Sequence, residues 1–584
     1  MTVSAPQFDI VIRGGVVIDG TGAAGFAADV AVKDGTIAAV GEIEGRGREE
    51  IDAAGRLVTP GFIDIHSHYD GQVTWEPRLQ PSSYHGVTTV LMGNCGVGFA
   101  PCRPQDRDLL MRLMEGVEDI PQVVMSEGLP WNWESFPEYL DSLEGRRFDM
   151  DVCAQLPHAA LRVYVMGERG ARGEPATPDD VARMRALAAE AIGAGAFGFT
   201  TSQSITHRTK SGEPIPTRNA TSEELVGIAL GLKDAGGGLL EYVGALDAPA
   251  MRMLWAMMEA SGRPLSFSLV QAPANRDTWR DSLADLERAK AAGHQMRAQV
   301  CGRPVGIFLG LELTMNPFSL HRAYRAIQDL PLAERVSRLS DPVFRRPLLA
   351  DEPGTDEVFD RASLLDFNNM FPVAPIPDYE PRDEDSIAAL ARRRRVSPQE
   401  AALDHMLSDG GRGLIYVPFL NYFDRDLEAA REMLEHPLCL PGLGDGGAHV
   451  GLISDGSLTT SNLTLWTRDR VRGPKLDIAQ IIRLQTSECA RWIGLGDRGR
   501  VAAGLRADLN VIDYDGLTLR APEVRNDLPG GGRRLVQRAD GYVLTMVAGQ
   551  VTYRHGQPTQ SLPGRLVRSP AAKGFREGAR QCLH

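Results

Sequence analysis

The sequence VTPGFIDIHSH occupies residues 58–68 and ends on two histidines. Residues 58–65 are predicted to form a buried strand, because they are a short apolar run interrupted only at a proline–glycine step and an aspartate. Alternate side chains of a strand point to the same side, so His66 and His68 meet at its carboxyl end. Two rigidly held imidazoles are suited to bind a metal ion, and the pattern predicts a metal site there. The alternative is a pair of solvated loop histidines.

Downstream of this stretch, helical and strand patterns alternate along the chain. Thr177 to Asp180 combine an N-cap threonine, a proline and two acids, which is typical of a helix start. Such alternation predicts parallel βα units. Eight strands are expected, and they suggest an α/β protein with a closed (β/α)8 TIM-like barrel whose active-site residues stand at the strand carboxyl ends. The expected strands are residues 58–65, 88–92, 151–155, 196–201, 239–243, 265–270, 296–301 and 438–442.

The two ends of the chain share a different pattern, of short strands separated by turns. Hairpin signals occur at Asp19-Gly20 and Asp34-Gly35, and residues 507–553 show a similar pattern. We expect both ends to form one small β-sandwich domain, with residues 1–57 as its first part and 500–584 as its second part and C-terminal tail. Residues 58–499 would form the barrel. Two insertions, at about 103–148 and 303–436, are expected to be functional or to carry their own structure.

Composition restricts the class of protein. The chain has 584 residues, of which 43% are hydrophobic and 24% charged, as in soluble globular proteins. The net charge of -13 argues against a nucleic-acid partner. No apolar run is long enough to predict a membrane span, and no signal-peptide pattern opens the chain. The 7 cysteines form no CxxC motif, which favours a reducing cytoplasm over a disulfide framework.

Asp445 follows the last expected strand. A carboxylate there can bind a metal and exchange a proton with water, so Asp445 is a candidate catalytic residue and ligand. A competing interpretation is a nucleotide-binding loop, since Gly442, Gly444 and Gly447 match G-x-G-x-x-G. That match is weak because it lies after an eighth strand and not in a first βαβ unit.

Cys95 and Glu241 end the second and fifth expected strands. Cys95 is either a thiolate ligand or a small buried apolar residue. Glu241 lies in an apolar strand and needs a cationic partner, either a metal or a buried basic side chain.

Further polar residues near strand ends are candidates for substrate contacts, each with a structural alternative such as capping a loop or turn. These residues are His158, His207, Arg208, Gln271, Arg303 and His449. A G-x-S-x-G nucleophile motif does not occur in the sequence.

Several motifs together resemble a known family. Residues 58–68 resemble the first-strand motif of the amidohydrolase superfamily. HGVTTV at 85–90 and GNCG at 93–96 are more similar to the N-acyl-D-amino-acid deacylase (D-aminoacylase) branch, as are LPHAALR at 156–162 and GAFGFT at 195–200. GLGDRGRV at 494–501 is typical of a chain that returns from the barrel into a β-sandwich. The resemblance extends from about residue 8 to 568.

This resemblance implies a divalent metal, usually zinc, that activates water to cleave a C–N bond. It implies that His66, His68 and Cys95 are ligands and that Asp445 is both ligand and general acid/base. Family members carry a histidine after the fifth strand, where Glu241 stands here.

They also carry His-His-Lys after the sixth strand, where residues 269–271 are Leu-Val-Gln. One metal is therefore expected, and two are not. The loss of a basic residue at Gln271 favours a neutral or bulky substrate over a simple N-acetyl-D-amino acid, although Arg162, Arg208 or Arg303 could replace it.

The sequence thus predicts a cytoplasmic metal-dependent amidohydrolase that cleaves an amide-type C–N bond of a small molecule. The substrate would be N-acyl amino acid-like or a bulkier neutral amide. Two alternatives stay open: a cyclic imide or lactone hydrolase with the same site, and a metal-poor relative that binds a ligand without hydrolysing it. No nucleic acid or membrane is expected as a partner, and a homo-oligomer is compatible with the sequence.

Overall fold

The computed structural model describes residues 6–354 and 365–571, and the chain is a mixed α/β protein. Parallel strands form two sheets. The first has the order Phe62–Ser67, Val87–Met92 and Asp151–Ala154. The second has the order Leu156–Pro157, Gly198–Ser202, Leu239–Val243, Leu265–Leu269, Met296–Val300 and Cys439–Pro441.

The two parallel sheets approach each other at both edges. Gln155 alone separates the last strand of the first sheet from the first strand of the second. At the other edge, an isolated parallel bridge pairs Ser67 with Gly446. Every residue of Phe62–Ser67 and Val87–Met92 is buried, as expected for parallel strands that are covered on both faces.

Helices connect the parallel strands and pack against them. Pro178–Ala194 begins as the sequence predicts, because the Thr177 side chain accepts a hydrogen bond from the Asp180 amide. Equivalent connections are Ser222–Asp234, Ala248–Ser261 and Trp279–Ala291. Among the described residues, none of the helices has the length and apolar character needed to span a membrane.

The first expected strand, residues 58–65, is divided in two by the structure. Leu57–Pro60 pairs with Leu509–Ile512, whereas Phe62–Ser67 pairs with Val87–Met92. The chain changes sheets at Gly61, where an added Cβ would lie 2.2 Å from the Thr88 hydroxyl oxygen. The strand therefore breaks at Gly61, because the backbone there lies too close to Thr88 for any side chain to fit. The apolar sequence pattern gives no sign of this break.

Both chain ends contribute to one nine-stranded sheet. Its members are Phe8–Val17, Phe26–Lys33, Thr36–Gly41, Gly47–Asp52, Leu57–Pro60, Leu509–Ile512, Tyr542–Val547, Gln550–Arg554 and Gln557–Pro558. Asp34 and Gly35 form a two-residue hairpin with φ of 50° and 77°. Asp19-Gly20 instead lies in a longer connection, where Gly20 packs against the carbonyl of Gly499.

The two insertions carry their own structure. The first contains the helices Arg107–Val117, Gln122–Gly128 and Phe136–Glu144. The second contains an antiparallel sheet of Val305–Leu309, Ile415–Leu420 and Phe371–Pro372, with the helices Leu332–Ser340, Pro342–Ala350, Ile387–Arg394 and Pro398–Gly411. It has a separate apolar core that includes Phe318, Leu339, Met370 and Leu403.

The cysteines of the described ranges, at 95, 102, 153, 301, 439 and 489, are free thiols and buried. Cys582 lies outside the described residues, as do the outer parts of the two predicted terminal segments, residues 1–5 and 572–584.

Candidate metal centre

Three predicted ligands converge at the carboxyl ends of the first two parallel strands. His66 lies near the end of the strand Phe62–Ser67, and His68 directly follows it. Their ring centroids are 5.5 Å apart. Cys95 follows Val87–Met92 in a tight turn with a φ of 55°. Donor atoms of the three buried residues all lie within 4.8 Å of one another, and Cys95 Sγ is 3.3 Å from His66 Nε2. This donor set can hold one metal ion.

Asp445 completes the group from the last parallel strand. Its Oδ1 lies 3.4 Å from His66 Nε2 and 3.5 Å from His68 Nε2. Two backbone hydrogen bonds set this position: the amide of Asp445 donates to the carbonyl of His66 at 3.0 Å, and that of His68 donates to Gly446 at 2.7 Å. The predicted ligand and catalytic carboxylate therefore faces both histidines.

Several backbone positions around the centre are strained. Cys95, Leu443, Asp445 and His449 have φ values of 55°, 60°, 46° and 49°. A residue other than glycine rarely adopts this region, and such outliers concentrate at functional sites. The surrounding structure holds these side chains at a cost in backbone energy.

His66 is oriented from behind by residues of two other strands. Its Nδ1 lies 2.7 Å from Gln299 Oε1 and 3.2 Å from Glu241 Oε1. Gln299 in turn donates to the Ser266 hydroxyl at 3.0 Å. Sequence reasoning missed Gln299, although an uncharged polar residue inside an apolar strand was a usable signal.

Many buried polar atoms of this centre have no hydrogen-bond partner among the described residues. They are both ring nitrogens of His68, both carboxylate oxygens of Glu241, Oδ1 of Asp445 and Oε2 of Glu118. Buried polar atoms are normally satisfied because leaving them unpaired is costly. Two ligand atoms that each lie about 2.1 Å from a tetrahedral ion are about 3.4 Å apart. His66 Nε2 and Asp445 Oδ1 are separated by this distance, 3.4 Å. The residues fit a divalent metal ion.

The ionisation of His66 and Asp445 suits a metal, whereas burial holds Glu241 in its protonated form. Burial lowers the pKa of His66 to about 4, which keeps its imidazole neutral. Burial raises the pKa of Glu241 to about 8. For Asp445, burial acts in the same direction, but the close contact with His68 and the charges of the two histidines outweigh it and hold its pKa below the usual range. Neutral imidazole and ionised carboxylate are the forms that bind metals.

His68 experiences opposing effects. Burial lowers its pKa, but the negative charge of Glu118 and the contacts with Asp445 and Cys95 raise it well above the ordinary value. Glu118 belongs to the first insertion, and its Oε1 lies 3.3 Å from His68 Nδ1. Sequence reasoning missed this residue. The available signal was the insertion itself, because long insertions in compact domains are commonly functional.

Two of the predicted substrate contacts lie beside the centre. His449 Nε2 is 3.6 Å from Glu118 Oε2, and 22% of the His449 side chain is exposed. His207 Nδ1 is 2.9 Å from the Ser202 hydroxyl oxygen. Burial, together with the charges of nearby His449 and His68, lowers the pKa of His207 to about 3.

The other four candidates have partners of their own. His158 bonds Thr201 and Glu224 through its two ring nitrogens, at 2.8 and 3.0 Å. Arg208 donates to the carbonyls of Ile205 and Gly212.

Gln271 donates to Asp424 at 2.8 Å. Arg303 is fully buried, pairs with Asp455 at 2.7 Å and stacks 4.1 Å from the Tyr379 ring centroid.

The glycines at 442–447 have a packing role. A Cβ at Gly444 would lie 2.6 Å from the Asp64 carboxylate, and Gly447 has a φ of 90° beside the His68 backbone. The next α-helix, Leu458–Thr464, begins well beyond this loop. These contacts explain the glycines without a nucleotide, so the dinucleotide interpretation gains no support.

Comparison with known proteins agrees with this picture. The family model described as "Amidohydrolase family" matches residues 49–553. N-acyl-D-aspartate deacylase of Alcaligenes xylosoxydans is 32% identical over 88% of this chain and 87% of its own. N-acyl-D-glutamate deacylase of the same organism is 27% identical over 97% and 98%.

A solved structure shows the same fold. N-acyl-D-glutamate deacylase from Bordetella bronchiseptica, complexed with zinc and a phosphonate inhibitor, matches 96% of this chain and 100% of its own, with a TM-score of 0.63 and 23% identity. The chain belongs to the amidohydrolase family, with deacylases of N-acyl-D-amino acids among its relatives. It is a hydrolase that acts on carbon–nitrogen bonds other than peptide bonds, and the predicted family is confirmed.

Proposed function

We propose that this enzyme is a metal-dependent amidohydrolase that cleaves an amide-type C–N bond of a small molecule. The substrate is an N-acyl amino acid-like compound or a bulkier neutral amide. The observation that carries the proposal is the convergence of His66, His68, Cys95 and Asp445, with unsatisfied buried polar atoms on His68 and Asp445. The named deacylases among the relatives support cleavage of an N-acyl bond.

The architecture we propose is a closed (β/α)8 barrel within residues 58–499 and a β-sandwich built from residues 1–57 and 500–584. The parallel order of the strands, the single residue between the two sheets and the Ser67–Gly446 bridge support closure. The sheet shared by both chain ends supports the second domain. The position of Gly61 moves the boundary a few residues, because Leu57–Pro60 pairs within that sheet.

One zinc ion is the metal that this site would hold. His66, His68 and Asp445 are the proposed ligands, with Cys95 and Glu241 as further ones, and nitrogen and sulfur donors favour zinc over magnesium or calcium. The sixth strand supports a single ion because it offers no ligand for a second one. It ends in Leu269, and the side-chain amide of Gln271 is bonded to Asp424.

When bound, zinc would supply Lewis-acid polarisation of the scissile carbonyl and activate water near neutral pH. Asp445 is held ionised beside both histidines, so its carboxylate accepts a proton from the attacking water. It returns that proton to the leaving nitrogen as the C–N bond breaks, which yields a carboxylic acid and an amine. His449 and His207 stand beside Asp445 and would contact the substrate.

A cyclic imide or lactone hydrolase would use the same residues, and a panel of linear amides, cyclic imides and lactones separates the two. The non-catalytic alternative predicts that no member of such a panel is hydrolysed. Elemental analysis of protein purified without chelator tests the metal requirement, and a metal-free enzyme with full activity would contradict the proposal. The cytoplasm remains the predicted location, and the homo-oligomer stays a prediction.

A further inference from the structure

We infer that Glu118 is a positioning residue of the metal centre, so that the first insertion, residues 103–148, belongs to the active site. The inference rests on the proposed metal-dependent function and deepens it. It names a carboxylate that lies against a proposed metal ligand, His68, and against a proposed substrate contact, His449.

The first support is the orientation of His68. Its Nε2 faces Asp445 Oδ1 at 3.5 Å, and its Nδ1 faces Glu118 Oε1 at 3.3 Å. Metal-binding histidines generally donate the N–H of their second nitrogen to a carboxylate or carbonyl, which fixes the ring and increases its basicity. His66 has the same arrangement, with Nε2 towards Cys95 and Nδ1 on Gln299. Glu118 therefore orients the ring of His68, as Gln299 orients the ring of His66.

The second support is the contact with His449. Glu118 Oε2 lies 3.6 Å from His449 Nε2, and the Glu118 carbonyl accepts a 2.5 Å hydrogen bond from the His449 amide. Glu118 is 1% exposed, and its Oε2 has no hydrogen-bond partner among the described residues. Burying a carboxylate is costly unless donating or cationic groups lie beside it, and the imidazoles of His68 and His449 are the groups that face Glu118. One residue thus couples a metal ligand to a histidine on the open side.

The third support is the fixed position of the segment that carries Glu118. The residue ends the helix Arg107–Val117, with its amide bonded to Met114. A Cβ at Gly116 would lie 2.4 Å from the Arg208 carbonyl oxygen, so the helix end packs directly on the loop after Gly198–Ser202.

Asp119, the next residue, accepts hydrogen bonds from Thr314 at 2.7 Å and from the Gly451 amide at 3.1 Å. These contacts join the first insertion to the second insertion and to the loop of His449. Glu118 is therefore held from several sides, as a residue that positions ligands must be.

The test compares three variants of the full-length enzyme. Glu118→Gln removes the charge at nearly constant shape, Glu118→Asp keeps the charge but shortens the side chain, and Glu127→Gln makes the same charge change at an exposed site of the same insertion. Zinc affinity is measured by competition with a chromophoric chelator. The visible absorption of the cobalt-substituted protein reports ligand geometry without any need for turnover.

We expect Glu118→Gln to weaken zinc binding about 10- to 100-fold and to alter the cobalt spectrum. Glu118→Asp should lose less affinity, and Glu127→Gln should match the wild type. Wild-type zinc affinity and cobalt spectrum in Glu118→Gln overturn the inference. If that variant does not fold, Glu118→Asp carries the test, and wild-type affinity there overturns it too. A wild-type protein that binds no zinc contradicts the proposed function itself, which is a distinct result.

Discussion

The backbone amide of Asp445 donates a 3.0 Å hydrogen bond to the carbonyl of His66, which joins the end of the last parallel strand to the end of the first. The same contact sets Asp445 Oδ1 3.4 Å from His66 Nε2. Asp445 adopts a φ of 46° to reach this place, a conformation that costs energy in a residue with a side chain. The fold thus holds this carboxylate at the centre of the predicted chemistry.

Replacement of Asp445 by asparagine tests its role in proton transfer. The amide cannot accept the proton of water, so kcat should fall about 10²- to 10⁴-fold, the usual contribution of general acid–base catalysis. Steady-state kinetics on an amide that the wild type hydrolyses provide the measurement. Glu259→Gln, at an exposed helical site, is the control and should keep wild-type kcat. An Asp445→Asn enzyme with unreduced kcat would show that another residue carries the proton.

Replacement of Cys95 by serine tests the thiolate ligand. A hydroxyl is a poorer zinc ligand than a thiolate, so zinc affinity should fall by more than about tenfold. Cys439→Ser is the matched control, because that buried cysteine lies in another parallel strand. It should lose stability but keep its zinc affinity. Equal affinity in Cys95→Ser and wild type would assign Cys95 to the apolar core.

The number of metal ions follows from the donors at hand. The sixth strand ends in Leu269, and Gln271 is bonded to Asp424, so we expect one zinc ion per chain at saturation. Elemental analysis after dialysis and anomalous scattering from crystals both count the ions. Two fully occupied sites would mean that other donors, such as Glu241 and Glu118, take the place of the histidines that the family resemblance predicts.

The charge of the preferred substrate is also predictable. The family resemblance predicts a basic residue at the position of Gln271, and the charge of Arg303 is already paired with Asp455 at 2.7 Å. A neutral N-acyl amino acid amide should therefore show a kcat/KM about tenfold or more above that of the matching free acid, the effect of about 1.4 kcal/mol. The pair differs in one charge only. If N-acetyl-D-amino acids were hydrolysed faster than the matching neutral amides, an unpaired cation would have to lie in the substrate pocket.

Acid stability should depend on Glu224. This carboxylate lies 2.7 Å from Arg162 Nε and 3.0 Å from His158 Nε2. Burial raises its pKa, but these partners outweigh burial and lower it to about 2. Its stabilising effect is therefore complete above its unfolded-state pKa of about 4.3 and is lost as the pH falls from there towards 2.

Glu224→Gln should lower the free energy of unfolding by about 3–5 kcal/mol at neutral pH, because it leaves Arg162 charged and buried without its partner. The variant should also lose less stability than wild type between pH 4 and 2. Denaturant unfolding across this pH range is the measurement. Glu223→Gln, exposed and adjacent, is the control, and equal pH slopes in wild type and Glu224→Gln would contradict the assignment.

The sequence by itself determined the local features of this protein. The alternation of strand and helix patterns predicted parallel βα units, and Thr177 marked a helix start that the structure confirms. The i, i+2 spacing of His66 and His68 placed both rings on one side, since that relation depends only on strand geometry. The family resemblance came from the same short motifs.

Only the tertiary structure decided which distant residues complete the centre. Glu118 faces His68 because an insertion helix packs on the loop of Arg208, and Gln299 faces His66 because the two parallel sheets bring their strands together. His158 was equally placed at a strand end in the sequence, yet it bonds Glu224 inside the protein. Local patterns fix the direction of a side chain within its own element, whereas the contact between two elements depends on how the whole chain packs.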